Sequence, residues 1–247
     1  MREIRQLEEL AANAWPAVVV QAVDGWRLRF NHGVTRRANS AWPNGRGERL
    51  SIDERLALVE DFYARRGVSA RVQVTPAAEP SDVDGLLARR GYAVEESVHV
   101  QTAATKEVVE RTSRSCEVAL SAGPSDEWTR TAWPESELSP GIRRETVERI
   151  GPETACATAI VAGEPAGVAL GVAERGFVGL FCFHTLPGLR RRGAARSLLH
   201  ALADWARSRN AASIYLQVQD SNSPARALYA RAGFSTLYRY HYRTRAF

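Results

Sequence analysis

The sequence predicts an α/β (α+β) protein built as two related domains in tandem. Strand-like and helix-like segments alternate along the whole chain, and the same order of elements runs through twice. Two blocks also recur. Tyr63–Val74 resembles Ala206–Val218, with Val74 and Val218 offset by 144 positions, and Leu87–Val100 resembles Tyr229–Tyr242 at an offset of 142. Matched blocks in the same order read as a duplication. The domains are expected at 1–105 and 115–247, with the polar stretch Thr102–Ser115 as the join.

In the first pass, Trp26–Phe30 alternates as a strand and Asn31–Gly47 is rich in Gly and Asn. Ser51 and Glu54 stand at capping-box spacing ahead of Leu56, Val59 and Tyr63, which recur with helical period. Val68–Thr75 reads as a strand, Ser81 and Asp82 open a short helix ending at Gly91, and Tyr92–Val100 is a strand. In the second pass, Cys116–Leu120 is a strand, with helical pieces near Ser125–Ala132 and Ile142–Ile150. Ala155–Val161 and Gly167–Ala173 form a hairpin turning at Gly163-Glu164-Pro165, and Phe177–Thr185 is the next strand. A helix over about Gly193–Arg209 aligns Leu198, Leu202 and Trp205 on one face. Ile214–Val218 (strand), Ser223–Arg231 (helix, ending at Gly233) and Leu237–Thr244 (strand) close the chain.

Of the 247 residues, 45% are apolar and 25% charged, the composition of a globular protein rather than a disordered one. No apolar run approaches the ~18–20 residues that span a bilayer. The charged N-terminus lacks the apolar core of a signal peptide, so a cytoplasmic protein is expected. Cys116, Cys156 and Cys182 are an odd number in apolar surroundings and read as packing thiols. With no Cys-x-x-Cys pair and scattered histidines, no metal site is expected. The net charge of +5 is concentrated: residues 186–247 hold eleven arginines against Asp204 and Asp220. A basic stretch of this kind fits an anionic ligand, nucleic acid or a solvated face.

The sharpest local signal comes after the strand Phe177–Thr185, where Leu186 and a short turn lead to Arg190-Arg191-Arg192-Gly193-Ala194-Ala195 at the head of the long helix. Free N–H groups and the helix dipole suit a phosphate or pyrophosphate there, small residues let it approach the backbone, and arginines add charge. The spacing Arg-x-x-Gly-x-Ala is followed by Asn222, Ala225, Leu228, Tyr229, Gly233 and Phe234. Together these resemble the two motifs of the GNAT superfamily of acyl-CoA-dependent N-acyltransferases, over residues 116–247.

That resemblance implies two GNAT-like domains, each a mixed, mainly antiparallel sheet flanked by helices. It implies acetyl-CoA as co-substrate, a primary amine of a small molecule or peptide as acceptor, and no metal, nucleic acid or membrane partner. By the same resemblance Arg190, Arg191, Arg192, Gly193, Ala194 and Ala195 hold the pyrophosphate. Phe183, Thr185 and Leu186 lie along the pantetheine arm, and Asn222 touches the cofactor or caps its helix. Tyr229 is the expected general acid for the departing thiolate. The amine needs a route for its proton, because a free alkylamine titrates near ~10.4. The family's usual strand carboxylate falls at Phe181, which leaves His184 or a water-relayed base. Between the first two helices of this domain, Trp133 is a candidate wall of the acceptor site, and Glu135 or Glu137 candidate partners for a cationic amine. The first half keeps the pattern without the loop, offering only Asn44–Leu50, and is expected to act as support or substrate wall. An acyl-CoA-binding regulatory module with little turnover is the alternative, which the retained Tyr229 disfavours. The chain is expected as a monomer or homodimer.

Overall fold

The computed structural model describes residues 1–134 and 140–247 and contains two compact units, residues 1–99 with 238–247, and residues 100–237. In chain order the elements are α1 (Arg2–Asn13), β1 (Val19–Val23), β2 (Trp26–Phe30), β3 (Ala41–Trp42), α2 (Ile52–Ala64), β4 (Ala70–Val74), α3 (Val83–Arg89), β5 (Ala93–Ala104) and α4 (Thr105–Arg111). Next come β6 (Glu117–Ser121), α5 (Asp126–Ala132), α6 (Pro140–Glu148), β7 (Glu153–Val161), β8 (Glu164–Glu174), β9 (Phe177–Thr185), α7 (Ala194–Ser208), β10 (Ser213–Gln219), α8 (Ser223–Arg231) and β11 (Ser235–Arg245). Both units have the expected α/β character, with mainly antiparallel strands flanked by helices.

In the first unit β1, β2 and β3 pair antiparallel, β3 and β4 run parallel across α2, and β4 pairs antiparallel with β11 from Val74↔His241 to Ala70↔Arg245. The last ten residues therefore complete the sheet of the first unit, although the sequence suggested that they belong with the second domain. Tyr238, Tyr240 and Tyr242 supply the reason, since all three are buried there. The core gathers Trp26, Leu28, Leu56, Phe62, Tyr63 and Val72 around α2. The predicted capping box is present: Ser51 Oγ accepts from Glu54 N at 3.3 Å, and Glu54 Oε2 accepts from Ser51 N at 2.8 Å. Beneath α1, buried Glu8 accepts from Tyr238 Oη at 2.6 Å and from Gln73 Nε2 at 2.5 Å.

In the second unit β6–β9 form an antiparallel meander and β9 runs parallel to β10 across α7. The apolar face of α7 (Leu198, Leu199, Leu202) packs on Ala157, Ala169, Val178, Leu180, Ile214 and Leu216. The β7–β8 turn is one residue earlier than the sequence suggested. Ala162 and Gly163 both have positive φ, 54° and 84°, and Val161 already pairs with Glu164, which is the two-residue hairpin geometry that matches strand twist. The polar stretch expected as a join is folded: it holds the end of β5 and all of α4, where Val108 is fully buried. Among the described residues no helix is long and apolar enough to cross a membrane.

Candidate functional site

The site is built where β9 and β10 separate. Their ladder runs from Phe177↔Ser213 to Leu180↔Leu216, after which β9 continues to Thr185 and β10 to Gln219. On its other side β9 carries a bulge. Between the pairs Leu170↔Phe181 and Val168↔His184, β8 advances two residues and β9 three, so Ala169 faces Cys182 and Phe183 together. Cys182 absorbs the extra residue with a left-handed φ of 51°. The bulge re-aims the last residues of the strand. Phe181 meets Tyr215 edge to face (centroids 6.1 Å apart), whereas Phe183 packs against the α7 cluster and meets Tyr229 edge to face at 5.9 Å.

The opening between the strands is a cleft of about 700 Å³. It is lined by Phe183, His184, Thr185, Arg190, Arg191, Gly193, Ala194, Ala195, Asn222 and Tyr229 of the residues singled out in the sequence. Leu186 and Arg192 lie outside this lining, and Leu186 N–H is already bound to Ala166 O at 2.9 Å. Cys182 lines the cleft rather than the core, a correction that stems from the bulge; Cys156 is the buried thiol, and burial pushes it up to about 12.

At the head of α7, Arg191 and Gly193 both take left-handed φ values, 66° and 85°. No side chain caps the helix, and its first intrahelical bond is Ser197 N to Gly193 O at 3.0 Å. The amides of Ala194, Ala195 and Arg196 therefore stand ahead of the ladder, at the positive end of the dipole. Gly193 suits this point for two reasons: its φ of 85° is one that L side chains rarely adopt, and a Cβ there would meet Ser115 Oγ. Ala194 and Ala195 follow it in the cleft lining with side chains of a single methyl group. With Arg190, Arg191 and Arg196 on the wall, and no Asp or Glu among the described lining residues, the cleft suits a pyrophosphate.

The first unit is closed at the matching point. Glu54 folds its carboxylate onto the head of α2, and Asp24 accepts from the amides of Glu48 (3.0 Å), Arg49 (3.1 Å) and Leu50 (2.9 Å) just before it. The protein's own carboxylates satisfy the backbone that an anion would need.

Tyr229 is 6% exposed, and burial raises its phenol well above the usual value, so it stays protonated. His184 Nε2 is buried without a hydrogen-bond partner among the described residues. Burial and then the Arg190 charge lower its pKa below the ordinary 6.5, so the ring is neutral and holds a lone pair. Asn222 caps α8, its Oδ1 accepting from Ala225 N at 3.2 Å, while also lining the cleft. Trp133 lies outside the cleft lining and rests edge to face on Trp128, centroids 5.5 Å apart. Glu135 and Glu137 lie outside the described residues. Sequence reasoning missed the place of Cys182 in the lining, which depends on the bulge.

A family model described as "Probable histone acetyltransferase Rv0428c C-terminal" matches residues 1–243. The chain is 30% identical to an uncharacterized N-acetyltransferase, YobR, of Bacillus subtilis over 98% of this chain and 99% of that protein. It is 31% identical to the probable histone acetyltransferase Rv0428c of Mycobacterium tuberculosis, over 88% of this chain and 67% of that one. In fold it resembles a GCN5-related N-acetyltransferase from Kribbella flavida (TM-score 0.72, 14% identity, 97% and 94% of the two chains). It also resembles a tandem GNAT protein of the clavulanic acid pathway (TM-score 0.63, 12% identity, 83% and 74%). The chain belongs to this family of GNAT-type, acyl-CoA-dependent N-acetyltransferases.

Proposed function

We propose that the second unit transfers an acetyl group from acetyl-CoA to a primary amine, with Tyr229 as general acid and His184 as the base. The observation that carries this reading is the uncapped head of α7, opening into a cleft whose described ionisable lining is cationic apart from Cys182, His184 and Tyr229. Acetyl-CoA would supply an acetyl thioester there. Arg190, Arg191 and the amides of Ala194–Arg196 hold its pyrophosphate, and β9 beyond its ladder lies along the pantetheine arm. The first unit, closed by Glu54 and Asp24, acts as support.

In the transfer, the amine nitrogen bonds to the acetyl carbon and the carbon–sulfur bond breaks. His184 Nε2 takes the proton the amine loses, and Tyr229 Oη donates one to the departing thiolate. Both groups hold the required state near neutrality: the phenol remains protonated and the imidazole neutral. Tyr229→Phe keeps the ring between Phe183 and Phe234 and removes only the proton donor. Its kcat is expected to fall by about a hundredfold or more, the scale of general acid catalysis. Acetyl-CoA affinity by calorimetry should stay within about twofold of wild type, because uniform binding is untouched. An unchanged kcat removes Tyr229 from the acid role.

A further inference from the structure

The arginines that line the cleft, Arg190, Arg191 and Arg196, are not held alike. Arg190 donates from Nε to the backbone, at Thr185 O, over a long 3.4 Å. Arg196, in the first turn of α7, donates from Nη2 to Ser113 Oγ at 2.6 Å, and no carboxylate pairs with it among the described residues. Ser113 lies in the link between α4 and β6, and that link is fastened to α7 on either side of it. Thr112 Oγ1 stands 3.1 Å from His200 Nδ1, and the amides of Ser115 and Cys116 donate to the fully buried Ser197 Oγ at 2.9 and 3.3 Å. Ser113 is thus a fixed acceptor that takes up one N–H of the guanidinium and leaves its other donors for a ligand. An exposed hydrogen bond of this kind adds little to stability, but it orients a long side chain before a ligand arrives.

We propose that the Arg196 guanidinium binds a phosphate of acetyl-CoA, and that Ser113 is the positioning residue that orients it. This rests on the transferase reading of the cleft, and it changes one member of the expected cationic set. Arg192 lies outside the lining, and Arg196, further along the chain and inside it, supplies the cation instead. A guanidinium whose fork is already set loses less rotamer freedom on meeting a phosphate than one free in solvent, and its N–H···O bonds to that anion are charge-assisted. Ser113 carries no charge, so it fixes the side chain without cancelling the positive field, as a carboxylate in its place would.

The test is calorimetric titration of the full chain with acetyl-CoA, as wild type, Ser113→Ala, Arg196→Gln and the double variant, with Ser113→Thr, Arg196→Lys and Arg192→Gln beside them. Arg196→Gln should weaken binding by about tenfold or more, the worth of one hydrogen bond between charged groups. Ser113→Ala should weaken it by about threefold or more, the scale of immobilising one long side chain, and Ser113→Thr, which keeps the hydroxyl, should restore it. In the double variant the loss should match that of Arg196→Gln alone within about twofold, because Ser113 acts through that side chain. Arg196→Lys, which keeps the charge but not the fork, should recover part of the affinity, and Arg192→Gln should cost less than Arg196→Gln. Wild-type affinity in Arg196→Gln or in Ser113→Ala, or a loss in Arg192→Gln as large as in Arg196→Gln, would each overturn the proposal alone. So would a Ser113→Ala loss that persists in the Arg196→Gln background, which is the result a merely structural serine gives. A wild type that fails to bind acetyl-CoA takes the transferase reading down with it.

Discussion

At the scale of single residues, the environment of His184 determines whether it can serve as base. Its pKa is depressed, by burial first and by the Arg190 charge second, so protonation is confined to pH below the ordinary 6.5. The kcat/KM profile should therefore show an acidic limb below 6.5, and His184→Gln should lose that limb together with an approximately tenfold or larger drop in rate. A limb that survives in the variant assigns it to another group. The stability sign comes from the same shift. With the folded pKa below the unfolded one, the contribution is present above about 6.5 and is lost as pH falls through the folded value. The small residues of the α7 turn were legible in the sequence by type and spacing, and Tyr229 was singled out by its place in the motif that resembles the GNAT family. The contact between Gly193 and Ser115 was not legible, because Ser115 is distant in sequence and only packing brings it there.

Among the elements, β9 and α8 were readable to the residue, from Phe177 after Gly176 and from Ser223 after the capping Asn222. The bulge at Cys182 was hidden, since it exists only in the register with β8. α1 and α4 were also missed: α4 buries little beyond Val108 and Thr105, too few positions to set a helical period. α5 shows what one side chain contributes to an element. Ser125 caps it by accepting from Trp128 N at 3.0 Å, and the Trp128 indole ties it to β7 and β8. Trp128→Phe leaves the Ala157 and Ala169 carbonyls without that donor and opens a small cavity, so denaturant unfolding should show a loss of about 2 kcal/mol. A change below about 0.5 kcal/mol would mean that the indole bonds contribute nothing net.

For the whole molecule, the duplication fits the proposed division of labour, with the cofactor held by the second unit. Both repeats keep a helix between two parallel strands, α2 between β3 and β4 and α7 between β9 and β10. They differ at the helix heads: α2 is sealed by Ser51, Glu54 and Asp24, and α7 is open. The recurrence and the open loop were visible in the sequence. The sealing by Asp24 was not, because 24 or more residues separate it from the amides it accepts. The most direct test is calorimetric titration of acetyl-CoA into wild type and Ala195→Glu. Ala195 has helical geometry, and a carboxylate in the first turn favours the helix, so the variant should fold while placing negative charge where the pyrophosphate is expected. Wild type should show one saturable site per chain, and the variant binding weakened by about a hundredfold or more, two or more ion contacts being lost. Two sites per chain, or equal affinity in Ala195→Glu, would contradict the assignment of the cofactor to the head of α7.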